Sequence, residues 1–89
     1  MSYPKYQYDL IRSIAVAAKE NGAKEVYRHE LLKLYSPIMR KYDANHTDTT
    51  RGDHIGEIME KVAKSLGGTF TKDLTKNGNA KKNSVRIVF

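Results

Sequence analysis

The stretch Ile55–Thr75, IGEIMEKVAKSLGGTFTKDLT, changes its hydrophobic period partway along, and that change decides the fold. Up to Leu66 the apolar residues keep helical spacing. Ile55, Ile58, Met59, Val62 and Leu66 fall on one face, the cleanest amphipathic face in the chain. Gly67-Gly68 then ends the helix, because glycine takes the left-handed conformation of a helix stop without a Cβ clash. Beyond the glycines the period is two: Phe70 and Leu74 alternate with polar residues over 69–75. The same alternation returns with Val85, Ile87 and Phe89 over 84–89. Between these runs lies Lys76-Asn77-Gly78-Asn79-Ala80-Lys81-Lys82-Asn83, a basic loop with Asn-Gly as its turn signal and too long for a tight hairpin. The expectation is a helix over 51–66 followed by two strands joined by a protruding loop. A two-stranded ribbon is not stable alone, so Phe70, Leu74, Val85, Ile87 and Phe89 are expected to pack on helices.

Upstream of this helix, Thr50 and Asp53 stand three apart as a capping-box variant, and Asp53 also suits the positive end of the helix dipole. Residues 43–50 are polar and without period, which reads as a loop. Leu31, Leu34, Tyr35 and Ile38 mark one face of another helix, over 27–35. Pro37 removes a backbone donor and disfavours helix at Ser36, so a kink or a restart over 37–42 is expected, with Ser36 suited to cap the restart. Lys24–Tyr27 is too short to assign and reads either as a brief strand or as the lead into a helix. Nearest the N-terminus, Pro4 opens a helix over 4–20 that Asn21-Gly22 ends. Its apolar face is Leu10, Ile14, Ala17 and Ala18, with Ile11 and Ala15 on the neighbouring stripe.

The whole chain of 89 residues is short enough to be one small α+β domain, 1–89. The hydrophobic share, 39%, is well above that of a disordered chain. There is no Cys, which excludes disulfide scaffolds, thiol catalysis and Cys-based zinc sites. No apolar run is long enough for a membrane span, and Met1-Ser2-Tyr3-Pro4-Lys5 is not followed by a signal-peptide core. A soluble protein of the cytoplasm, or of a host-cell cytoplasm, is expected. Lys plus Arg is 16 against 10 Asp plus Glu, a net charge of +6. Residues 1–66 contribute +2 (eleven minus nine) and residues 67–89 contribute +4 (Lys72, Lys76, Lys81, Lys82 and Arg86 against Asp73). Such a basic hairpin reads in two ways: a strand edge kept soluble by lysines, or a surface that contacts phosphate.

The order helix, possible short strand, helix, helix, strand, basic loop, strand resembles the winged-helix family of helix-turn-helix domains. The resemblance rests on that order, on Thr50–Leu66 followed by Gly67-Gly68, and on the 76–83 loop; it includes no residue motif. It implies a three-helix core followed by a C-terminal β-hairpin, with helix 51–66 similar to the recognition helix and loop 76–83 similar to the wing. In that family the recognition helix enters the major groove and the wing tracks backbone or minor groove. Here, however, the face of 51–66 opposite the apolar residues holds Asp53, Glu57, Glu60 and Lys64, flanked by Lys61 and His54. Carboxylates are poor partners for phosphate, where most protein–DNA hydrogen bonds go. The basic loop is therefore expected to lead. Arg51, Lys72, Lys76, Lys81, Lys82 and Arg86 would neutralise phosphates, and Asn77, Asn79 and Asn83 would bond backbone or base edges. The alternative is a protein-interaction module, a small inhibitor or adaptor, whose partner meets the mixed face of Asp53, Glu57, Glu60, Lys61 and Lys64.

Chemistry beyond binding finds little support. His46, His54, Asp43, Asp48 and Asp53 crowd into twelve residues, but match no helical metal-ligand spacing. As a calcium loop, Asp43, Asn45 and Thr47 begin correctly, yet Asp48 stands at the required glycine and His54 at the bidentate glutamate. Gly67-Gly68 lacks the Lys and Ser/Thr of a phosphate loop, and no serine stands beside a His–acid arrangement. All six tyrosines fall in the first half, away from the basic loop, which argues against a single-strand stacking platform. The expectation is a non-enzymatic binder of double-stranded DNA without cofactor or metal. It would act as a transcriptional regulator or accessory factor, monomer or homodimer. So short a stand-alone domain suits a viral or mobile-element regulator.

Overall fold

The computed structural model describes Tyr3, residues 5–42 and residues 54–89. Among these described residues three helices, α1 (Lys5–Glu20), α2 (Arg28–Tyr42) and α3 (Ile55–Ser65), accompany three short strands, β1 (Glu25–Tyr27), β2 (Thr69–Thr71) and β3 (Arg86–Val88). The strands form one antiparallel sheet in the order β1-β3-β2. The fold is α+β. The expected 43–50 loop, the Thr50/Asp53 cap and the opening turn of helix 51–66 lie outside the described residues.

The short segment that sequence left unassigned is a strand because its partner lies at the other end of the chain. Val26 stands opposite Ile87, with Glu25 opposite Val88 and Tyr27 opposite Arg86. Ile87 also faces Phe70 on the other side, so the fully buried Ile87 is the apolar centre of the sheet. Phe89 N–H donates to Lys24 C=O at 3.0 Å, and Arg28 N–H donates to Val85 C=O at 2.8 Å, which ties the start of α2 to β3.

The second strand is shorter than the period-two pattern implied. Pairing stops at Thr71, Leu74 makes only an isolated bridge to Ala80, and its side chain is 55% exposed. Leu74 is thus not a core residue: it lies on the hairpin beyond the regular ladder. Phe70, Val85 and Phe89 do pack against the core, half-buried.

Each helix corrects or refines the expected face. On α1 the buried residues are Gln7, Ile11 and Ala15, in line with Tyr3 four residues earlier. Leu10, Ile14 and Ala18 are only half-buried and Ala17 is exposed, so the true stripe is one position round from the expected one. The reason is that α1 packs on both α2 and α3, and Ala15 lets the elements approach closely.

Helix α2 continues through Pro37 without the restart that was one of the two expectations there. A proline inside a helix costs about 3 kcal/mol in a lost hydrogen bond and a ring clash. Leu31 and Tyr35 before it and Met39 after it are all buried at four-residue spacing, while Pro37 itself is exposed. Each such side chain contributes about 1.5–3 kcal/mol on burial, enough to offset that cost. Leu34, expected on the core face, is 59% exposed.

Helix α3 buries Ile55, Ile58, Met59, Val62 and Ala63. Its first described neighbour, His54, is left-handed (φ 52°) and makes no side-chain cap. The C-terminus closes by a Schellman motif: Gly68 N–H donates to Ala63 C=O at 2.8 Å and Gly67 N–H to Lys64 C=O at 3.2 Å. Gly67 takes φ +73°, and a Cβ on Gly68 would stand 2.5 Å from Val88 C=O. The Gly-Gly pair therefore does two jobs: one glycine turns the chain and the other lets it lie against β3.

Candidate nucleic-acid interface

The hairpin between β2 and β3 is held by a small set of hydrogen bonds. Lys81 N–H donates to Asp73 C=O (2.8 Å), Thr75 N–H to Asn79 C=O (2.7 Å) and Gly78 N–H to Thr75 C=O (3.0 Å). The buried Ser84 Oγ accepts from Asp73 N–H at 3.1 Å and donates to Lys81 C=O at 2.7 Å, closing the neck of the loop. Asn83 stands at φ 61°, a left-handed position that asparagine tolerates better than most side chains. Its place in the sequence thus has a conformational reason independent of any ligand. Asn77 and Asn79 sit exposed in the turn, and Asn79 N–H also donates to Thr75 Oγ1 at 3.2 Å.

Arg86 behaves differently from the other cations of this segment. Its Nε lies 3.3 Å from Glu25 Oε2 and its Nη2 3.4 Å from Asp73 Oδ1, while Nη1 donates to Ser84 C=O at 2.7 Å. The guanidinium also lies 5.7 Å from the centre of the Tyr27 ring, and the side chain is 19% exposed. Arg86 is therefore committed to the sheet. It is set apart from the phosphate-facing residues with which sequence grouped it. Tyr27 donates its hydroxyl to Glu25 Oε1 at 2.9 Å, and that hydrogen bond, with burial and the Glu25 charge, raises the phenol above its ordinary value.

Lys72, Lys76, Lys81 and Lys82 are all exposed, and their side chains have no ion-pair partner among the described residues. The one acid of residues 67–89, Asp73, is the partner of Arg86. The hairpin therefore presents four ammonium groups, Lys72 and the three of the loop, that are unpaired among the described residues. Arg51 and Asp53 lie outside the described residues.

The alternative site, the outer face of α3, is largely paired within itself. Lys64 Nζ is 3.8 Å from Glu60 Oε1, and His54 Nδ1 is 3.6 Å from Glu57 Oε2. Lys61 Nζ stands 5.2 Å over the Tyr3 ring, and its contacts with Tyr3 hold the ammonium above the ordinary lysine value. Over its described length α3 has two acids and two lysines, net zero.

Two residues that sequence reasoning did not single out join the basic loop. A cleft of about 400 Å³ is lined by Arg28, His29, Lys81, Lys82, Asn83 and Val85. It exists because the Arg28–Val85 backbone bond sets the first turn of α2 beside the base of the loop. A helix-by-helix charge count points the same way: α2 holds Arg28, Lys33, Arg40 and Lys41 against Glu30, a net of +3. Treating residues 1–66 as one block hid this, because acids elsewhere in the block cancel it.

Comparison of the chain with protein-family models, with curated proteins and with solved structures returned no match. Among the described residues no helix is long and apolar enough to cross a membrane.

Proposed function

We propose that this protein is a non-enzymatic, winged-helix-type binder of double-stranded DNA, a transcriptional regulator or accessory factor that holds the phosphate backbone chiefly through its wing, the 72–83 hairpin. The observation that carries the reading is the pairing of Asp73 with Arg86, beside four exposed, unpaired lysines. An anionic polymer approaching this hairpin meets an excess of cations, the single acid, Asp73, being engaged with Arg86. The order of helices and strands and the C-terminal β2–β3 hairpin support the winged-helix assignment, since both are what that resemblance implies. The net-zero α3 face supports a wing-led contact in place of insertion of α3 into the major groove.

The test is a salt titration of duplex binding. Four phosphate contacts predict a slope of log affinity against log salt of about −3.5, or roughly a 100-fold loss between ~50 and ~200 mM salt. Replacing Lys76, Lys81 and Lys82 by Ala should flatten the slope by about 2.5. An unchanged slope in that variant would refute the wing-led reading. The second reading, a protein adaptor using Glu57, Glu60, Lys61 and Lys64, draws support from the same net-zero face. It predicts that Glu57→Lys with Glu60→Lys abolishes capture of a protein partner while duplex binding is absent.

A further inference from the structure

Two grooves meet at His29. One is the cleft between the hairpin base and the first turn of α2, lined by Arg28, Lys81, Lys82 and Asn83. The other, about 310 Å³, continues along the outer surface of α2 past Leu32, Lys33 and Pro37 to Arg40. Both are lined by His29, so the two adjoin at that side chain. At 100° per residue, positions 29, 33, 36 and 40 lie within about 60° of one another, a single stripe along the helix.

The stripe is selective in its charge. Glu30, the only acid of α2, turns away with Leu34 and Ile38 to line the separate apolar groove shared with α1. Lys33 is exposed and has no ion-pair partner among the described residues. The Nη2 of Arg28, at the head of the track, is buried and has no hydrogen-bond partner. The cleft itself gathers the cationic side chains of Arg28, Lys81 and Lys82 with no acid among its lining residues, a setting that favours an anion.

We propose that one phosphodiester strand of duplex DNA leaves the wing through the Arg28–Lys82 cleft and runs along the outer face of α2, over His29 and Lys33 toward Arg40. This rests on the DNA-binding reading above and adds to it a second contact surface, on α2. From 29 to 40 the helix rises about 16 Å. One DNA strand carries about five phosphates over that axial length. His29 and Lys33 fall within that rise, and the 81–83 corner of the loop adjoins its start at His29.

The experiment is lysine acylation footprinting of the full chain with and without a duplex, read by mass spectrometry, together with the salt slopes of Lys33→Ala, Lys33→Glu and Lys24→Ala. Lys33, Lys81 and Lys82 should be protected by DNA, and Lys24 and Lys64 should not. Lys33→Ala should flatten the salt slope by about 0.9 and Lys33→Glu should weaken binding by more, with Lys24→Ala, an equal loss of charge at the far end of β1, changing less. Circular dichroism of each variant checks that the exposed substitutions leave the fold intact. Protection of Lys76, Lys81 and Lys82 without protection or slope change at Lys33 would overturn the α2 track and leave the wing reading standing. Absence of duplex binding by the native protein would overturn both.

Discussion

Asp73 and Arg86 meet across the neck of the β2–β3 hairpin, with Asp73 Oδ1 3.4 Å from both terminal nitrogens of the guanidinium. The pair sets the charge of the loop and joins it to the sheet, since Arg86 also holds Glu25 on β1. Arg86→Ala leaves two carboxylates without their cation and removes a side chain packed beside Tyr27. It should destabilise the protein by about 1–3 kcal/mol in a denaturant melt. Asp73 is more exposed, and Asp73→Asn should cost less than about 1 kcal/mol. By removing the only acid of the hairpin, the same change should tighten duplex binding at low salt.

Gly68 tests how closely the turn after α3 lies against β3. Gly68→Ala places a methyl group 2.5 Å from the Val88 carbonyl, and backbone on both sides must shift. Overpacking of this kind costs about 1–3 kcal/mol, which urea unfolding would resolve. Gly67→Ala meets no atom but must keep φ +73°, a cost of about 1–2 kcal/mol.

Pro37 is exposed inside a continuous helix. Restoring the missing N–H with Pro37→Ala should stabilise the protein, by up to about 3 kcal/mol, and raise its melting temperature. A lower melting temperature would show that the proline shapes α2 in a way the core needs.

Tyr27 supplies the pH prediction. The hydrogen bond to Glu25 favours the neutral phenol, so its folded-state value is raised above the unfolded one. The associated stability is complete below the ordinary tyrosine value near ~10 and is lost as pH rises through the folded value. Ultraviolet titration should show a tyrosine component ionising above the ordinary value, and Tyr27→Phe should remove that component.

Much of this architecture was legible in local patterns. The α3 face, the Gly67-Gly68 stop and the alternation around Ile87 all record their structure in neighbouring residues. What was missed depends on distant partners. The β1 strand has three residues and no pattern of its own; it exists because Val26 finds Ile87 sixty-one positions away. Helix α2 continues past Pro37 because Met39 is held in the core, a tertiary gain that local propensity does not contain. The exposure of Leu74 follows from where the ladder stops, and the commitment of Arg86 follows from Glu25 arriving beside it. In the candidate site, the hairpin lysines were visible as a charge run. The adjoining Arg28 and His29 were hidden because only the fold brings the start of α2 to residues 81–83.

The central claim is that phosphate is held by the hairpin and not by the outer face of α3. Its most direct test measures duplex affinity at one low salt concentration, ~50 mM, for the native protein, Lys81→Glu with Lys82→Glu, and Glu57→Gln with Glu60→Gln. The account predicts that reversal at Lys81 and Lys82 reduces affinity by at least about 100-fold, since four charge units change at the contact. Neutralising Glu57 and Glu60 should change affinity by less than about threefold. Native-like binding by the Lys81/Lys82 variant, with a large gain on removing Glu57 and Glu60, would contradict it and place DNA on α3.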